Sequence, residues 1–322
     1  MSNKLHERLV RYKDLVPSKM PFVESKLAGH RDRSVYSIIG PGVTEDLKGV
    51  SIAEAHGFNI GGVDTAPNNG SSLHSHTTAE VFLIHKGPWK FFWGAEGNDG
   101  EIILNTGDVV SFPLNMFRGF KNVDHERSLM YTILGRDDPG VITWSPNTLN
   151  KAKETGMVLL NDNTIVDTTI DSIPSDKKIL EPLDKNEIKT FDKYFLSDIE
   201  KCVVRFDDLK KEGNINNQNG HYFSLIETFE INGKNFSPKI LHKDLGFNLG
   251  AVFGKQISVD DYILKTHEVF MPLSGEWKIY CDDEEIIIKP TDIFSVPMNS
   301  KRRFKKLNSD EGLMYIVREK TD

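Results

Sequence analysis

The chain has 322 residues, 38% of them hydrophobic and 27% charged, with a formal net charge of -7. That length leaves room for two ordinary domains or one duplicated fold, each with a real apolar core. A mildly acidic chain without a basic cluster argues against nucleic acid and anionic membrane surfaces as partners.

The first 30 residues, opening MSNKLHERLVRYKDLVP, carry charge throughout and offer no apolar core for a secretory signal. They are amphipathic and read as a helical arm that packs on a sheet edge or on a second copy in a homodimer. No apolar run approaches the length of a membrane span. The two widely spaced cysteines, Cys202 and Cys281, fit a reducing compartment. A cytoplasmic protein is expected.

From residue 57 to residue 135 the chain reads as short strands. EVFLIHKGPWKFFWG is rich in aromatic and β-branched residues, GNDGE (97–101) reads as a hairpin turn, and NTGDVVSFP (105–113) as a turn followed by an apolar strand. Regularly spaced short strands with turn signals predict an all-β sandwich or barrel. Residues 136–200 differ in character. SPNTLNKAKETG predicts a short helix with Ser145 as N-cap, Pro146 in the first turn and Gly156 as the stop. The polar, Pro-containing stretch 167–187 reads as a linker.

The second half repeats the first. GFNIGGVD at 57–64 returns as GFNLGAVF at 246–253, and EVFLIHKGPWKFF at 80–92 as EVFMPLSGEWKIY at 268–280. SFPLNMFRGFK at 111–121 returns as SVPMNSKRRFK at 295–305, and LMYTILG at 129–135 as LMYIVRE at 313–319. Even RYKDL at 11–15 is echoed by RFDDL at 205–209. Blocks matched in the same order mean a tandem duplication. The boundaries expected are a first barrel with its arm at 1–135, a linker with a short helix at 136–200, and a second barrel at 201–322.

The stretch LHSHTTAEVFLIHKG carries the candidate chemistry. On a strand, His74 and His76 project from one face, and Glu80 on the next strand can join them. Two imidazoles and a carboxylate form the facial set of non-heme Fe(II) oxygenases, though Mn, Ni, Co and Zn accept the same donors. The plain alternative is a polar loop with two surface histidines. His85 alternates to the other face. In the second copy Tyr262, Leu264 and Glu268 stand for His74, His76 and Glu80, so that half lacks metal ligands, and His267 turns away. Trp89 with Trp277 and Phe120 with Phe304 are repeat pairs that read as core. Either the Phe91–Trp93 face or Phe92 is available to a pocket.

The stretch resembles the first cupin motif, G-x5-H-x-H-x3,4-E-x6-G, with His74, His76, Glu80 and Gly87 in place and Asn68 where the leading glycine belongs. The second motif, G-x5-P-x-G-x2-H-x3-N, is met by Gly107, Pro113 and Asn122, while Asn115 replaces the inner glycine and Arg118 the histidine. The resemblance implies two tandem jelly-roll barrels with short helical arms, a bicupin. It also implies a divalent metal, iron first and Mn, Ni or Zn otherwise, on His74, His76 and Glu80. The fourth ligand is missing, since a guanidinium does not bind metal. Arg118 has two readings: a grip on a substrate carboxylate, or a structural ion pair with Glu80 that Arg302 and Glu268 repeat. The function expected is a metal-dependent dioxygenase-like oxidoreductase acting on a small acidic or aromatic molecule. A lyase, isomerase or decarboxylase on a small carboxylic acid and a non-catalytic binding bicupin are the alternatives.

Overall fold

A computed structural model describes residues 5–18, 20–44, 49–215, 220–242 and 245–320, without the side chains of 214 and 215. Residues 1–4 of the expected arm lie outside the described residues. Among those described, no helix is long and apolar enough to cross a membrane.

Each half is a two-sheet jelly roll. In the first, one sheet runs in the order Val203–Val204, Val109–Phe112, Glu80–Lys86, Ser128–Gly135, Phe58–Thr65, Arg33–Ile39. The other runs Ile142–Trp144, Gly70–His76, Arg118–Asn122, Trp89–Trp93, Gly100–Leu104. The second half repeats the first sheet as Leu9–Val10, Ile293–Val296, Glu268–Pro272, Gly312–Glu319, Phe247–Gly254, Gly220–Ile226, with Pro238–Ile240 added. Its other sheet is Tyr262–Ile263, Lys301–Lys306, Trp277–Cys281, Glu284–Ile288. The duplication read from the sequence is therefore a duplication of strand order.

The arm is not a continuous helix. Two 3-10 turns, His6–Arg8 and Tyr12–Asp14, flank the strand Leu9–Val10, which pairs antiparallel with Ile293–Val296 of the second barrel. Val203–Val204 pairs in the same way with Val109–Phe112 of the first. Each piece closes a sheet edge that would otherwise expose unpaired backbone groups. The RYKDL and RFDDL echo is this exchange. Arg11 pairs with Asp292 at 3.0 Å and Arg205 with Asp108 at 2.7 Å, so each barrel's aspartate is held by an arginine lying before the other barrel. A second reciprocal pair crosses the boundary: Tyr131 donates to Thr291 O at 3.0 Å, and Tyr315 to Gly107 O at 2.6 Å. The two halves meet as a pseudo-two-fold dimer within one chain.

The apolar material falls where this geometry needs it. One cluster, including Ile60, Val81, Leu83, Ile133, Leu249 and Val269, joins the two barrels back to back. Trp89, Phe91, Trp93 and Phe120 fill the first barrel, and Trp277, Phe270 and Phe304 the second, so the aromatic repeat pairs are core. The helix Pro146–Glu154 has the expected ends: Ser145 accepts from Thr148 N, and Gly156 follows at φ +85°. Around it the hairpin Met157–Leu159 and Ile165–Asp167 buries Met157 and Leu159 with Trp144. Cys202 and Cys281 are buried and form no disulfide.

Candidate metal centre

His74 and His76 end the strand Gly70–His76, which lies between Arg118–Asn122 and Ile142–Trp144. Glu80 opens the strand Glu80–Lys86 of the opposite sheet. The turn between them is fixed: Thr78 Oγ1 donates to Pro139 O at 2.6 Å, and Gly135 N to Ala79 O at 3.1 Å. Strand alternation and this crossing bring the three side chains together inside the barrel. One ligand-type atom from each lies within 4.8 Å of the others, and all three residues are buried.

Two of the motif's glycine positions hold asparagine, and the backbone accounts for both. Asn68 has φ +65° and Asn115 φ +55°. Asparagine is the non-glycine residue that best tolerates this left-handed region, so the turns survive the substitution. Asn299, the repeat partner of Asn115, does the same at φ +62°.

The imidazoles are prepared in different ways. His74 Nδ1 donates to Ser72 O at 2.7 Å, which leaves the lone pair on Nε2. His76 has no hydrogen-bond partner on either nitrogen among the described residues, although it is 1% exposed. A buried imidazole left this way is costly unless something else binds it. Burial and then Arg118 hold His74 below the ordinary imidazole range. Burial, Arg118 and His74 hold His76 well below it. Both are therefore neutral near pH 7, the form that binds metal.

Arg118 points into the barrel. Its Nε and Nη2 donate to Glu80 Oε2 at 3.1 and 2.5 Å, and its Nη1 to Met116 O at 3.1 Å. The same Glu80 oxygen lies 3.7 Å from His76 Nε2. Every guanidinium nitrogen of Arg118 is thus engaged. A carboxylate has two oxygens and about four lone-pair sites, so Glu80 keeps donor capacity beside this ion pair. Orphaned His76, the His74 tautomer and this carboxylate together fit a divalent cation.

The three residues wall a cavity of about 50 Å³ with Phe22, Val35, Val63, Phe82, Leu134 and Trp144. Gly61 lets its strand pass close to Thr132, since a Cβ there would come within 2.8 Å of Thr132 Oγ1. A surface hollow of about 530 Å³ lies on the other side of Gly42, Val43, Thr44 and Ile142, which line both. Phe91 lies in the barrel core, while Phe92 lines a separate open hollow.

In the second barrel a polar network surrounds Glu268, with Arg302 Nη1 buried and without a hydrogen-bond partner among the described residues. Tyr262 donates to Glu268 Oε2 at 2.7 Å, Arg318 Nε to Glu268 Oε1 at 2.7 Å, and Arg302 Nη1 stands 3.6 Å from Oε2. His267 faces the barrel boundary, stacked on His56 at 4.2 Å, with Glu54 and Arg8 beside it. His56 uses both nitrogens, on Glu54 O and Ser295 Oγ at 2.7 Å each, so that group reads as a boundary contact.

Sequence reasoning missed Glu24, Arg33 and Ser71. Glu24 is fully buried, pairs with Arg33 at 2.7 Å and accepts from Ser71 Oγ at 2.9 Å. Ser71 Oγ in turn stands 3.4 Å from His74 Nδ1. Burial pushes the Glu24 carboxyl up, but Arg33, His30 and Ser72 outweigh it and hold it at about 2. For Glu24 the only signal was a charge inside the 30-residue stretch read as an arm.

Neither a family model nor a curated protein sequence matches the chain. In structure it is similar to a mutant oxalate decarboxylase of Bacillus subtilis, over 98% of this chain and 78% of that one, at 11% identity and a TM-score of 0.56. It is also similar to the Lactobacillus farciminis oxalate decarboxylase in a formate complex, over 96% and 85%, at 12% identity and a TM-score of 0.53. Likeness at such identity concerns the fold alone. With the repeated strand order, it establishes that the chain has the bicupin fold.

Proposed function

We propose that the chain is a metal-dependent enzyme that acts on a small carboxylic acid in its first barrel, with a redox-neutral cleavage such as decarboxylation as the reaction. The observation that carries the metal is the buried, doubly unpartnered His76 beside His74 and Glu80. Cavity size favours a small acid over an aromatic molecule as the substrate. About 150 Å³ encloses a benzene ring, and this cavity offers about 50 Å³, so an aromatic substrate does not fit it. The oxalate decarboxylases that share the fold are named for a two-carbon acid.

His74, His76 and Glu80 would hold the ion, and Arg118 fixes the orientation of Glu80. Bound there, a divalent ion supplies a Lewis acid that polarises the acid. Val35, Val63, Phe82, Leu134 and Trp144 exclude water, which strengthens every charge interaction inside. In decarboxylation the C–C bond breaks, carbon dioxide leaves, the electron pair stays on the remaining carbon, and a proton takes the vacated place.

Elemental analysis of purified protein tests the metal: Fe, Mn, Ni or Zn is expected, and His76→Ala is expected to lose it. Metal-free wild type sinks the proposal. Oxygen consumed in stoichiometric amount during turnover would restore the dioxygenase reading.

A further inference from the structure

We propose that Thr132 is the hydroxyl that holds the substrate in the first barrel, donating a hydrogen bond to an oxygen of a small acid bound beside His76 and Glu80. This rests on the reading that a small acid enters that cavity. Thr132 lies on the strand Ser128–Gly135 and lines the cavity together with His74, His76 and Glu80. It is 8% exposed, and its hydroxyl makes no hydrogen bond among the described residues. The other hydroxyls of the cavity wall are committed. Ser37 Oγ donates to Pro41 O at 2.9 Å, Thr44 Oγ1 to the same oxygen at 3.4 Å, and Ser71 Oγ to Glu24 Oε1 at 2.9 Å. Tyr36 belongs to the apolar cluster between the barrels. A buried hydroxyl without a partner is a cost that an acceptor in the cavity removes.

Strand register places this hydroxyl. Thr132 stands opposite Phe82 on one side and Gly61 on the other, and Leu134, two residues on, stands opposite Glu80. Alternation turns Thr132, Leu134, Phe82 and Glu80 to the same interior face, with Thr132 about 7 Å along the sheet from the Glu80 pair. An ion on Glu80 and a ligand of a few heavy atoms fill such a span, and the cavity of about 50 Å³ sets the same limit. Gly61 leaves the hydroxyl bare: a Cβ at 61 would lie 2.8 Å from Thr132 Oγ1, so a larger residue there would cover it. The second barrel supplies the comparison. Ile316 occupies the place of Thr132, opposite Phe270 and Gly250, the repeat partners of Phe82 and Gly61. It is fully buried in the apolar core of that barrel. Arg318 occupies the place of Leu134 and lies 2.7 Å from the Glu268 carboxylate. The scaffold therefore closes without a hydroxyl at this position, and the copy that keeps both histidines is the copy that has it.

Thr132→Val removes the hydroxyl and keeps the shape, whereas Thr132→Ser keeps the hydroxyl and removes the methyl group. Calorimetric titration of the purified full chain with acetate compares both variants with wild type. Thr132→Val is expected to bind acetate at least about tenfold more weakly, the scale of one hydrogen bond to a charged group, and Thr132→Ser to stay within about threefold of wild type. Thermal melting without acetate separates binding from structure. With no internal partner to lose, Thr132→Val is expected to melt no lower than wild type. A lower melting point for Thr132→Val, unchanged acetate affinity, equal losses in both variants, or no acetate binding by wild type at millimolar concentration overturns the proposal. Metal content is read on the same samples. Metal-loaded wild type whose acetate affinity survives in Thr132→Val overturns this assignment and leaves the metal centre standing. Metal-free wild type whose acetate binding is lost in Thr132→Val does the reverse.

Discussion

Arg118 stands where the second motif calls for an imidazole, and its hold on Glu80 competes with any cation for that carboxylate. Replacing it with histidine reverses both effects: a fourth donor, the third nitrogen, enters and Glu80 Oε2 is released. Arg118→His is therefore expected to retain metal against a chelator at least about tenfold longer than wild type, since one added donor outweighs a modest repacking cost. Faster loss would mean that Arg118 orders the site rather than weakens it. His74, His76 and Glu80 were legible because their spacing obeys strand alternation and a known motif. Arg118 was legible as a residue, but its orientation was not. Arg33 and Glu24 were illegible, because their pairing depends on a loop folding over the barrel mouth, and no periodicity records that.

At the level of elements, the exchanged strands Leu9–Val10 and Val203–Val204 lock the barrels through matched ion pairs. Arg205 is about one third exposed and Asp108 is buried, so the pair lies between a surface bridge and a buried one. Arg205→Ala is expected to cost about 1–2 kcal/mol of stability in denaturant unfolding. Arg11→Ala is expected to cost a similar amount, and the double variant to equal the sum within about 0.5 kcal/mol, because the pairs share no partner. Strong non-additivity would show that the two clasps act as one unit. The strands themselves could be read from β-branched and aromatic runs between turn residues. The arm could not. Its amphipathic pattern favours a helix, but the open edge at Ile293–Val296 rewards two extended residues with backbone hydrogen bonds.

Across the whole molecule, buried histidines set the response to acid. Burial brings His56 to about 4, with His267 and Arg8 adding to the shift, and burial alone brings His85 to about 4. In the unfolded chain both titrate near the ordinary value of about 6.5. A depressed folded value means the stability is fully present above about 6.5 and is lost as pH falls through about 4, by roughly 1.4 kcal/mol per pH unit for each group. Glu24 adds a second loss, lower, between its ordinary range and about 2. Urea unfolding at pH 7.5, 6 and 5 is expected to show a falling midpoint. A flat profile would falsify the neutral burial of these rings.

Duplication, strand character and ligand spacing are properties of neighbouring residues along the chain, so they are written in the order of amino acids and could be read there. Fold class followed from them, as did the loss of histidines from the second copy. Which arginine holds Glu24 and which holds Glu80 depends on contacts between residues far apart in the chain. So does the decision that RYKDL and RFDDL each clasp the opposite barrel. So does the cavity volume that turns away an aromatic ring. Those contacts are selected by burial and hydrogen-bond satisfaction once the sheets have closed, and only then does a charged side chain have a definite partner or lack one.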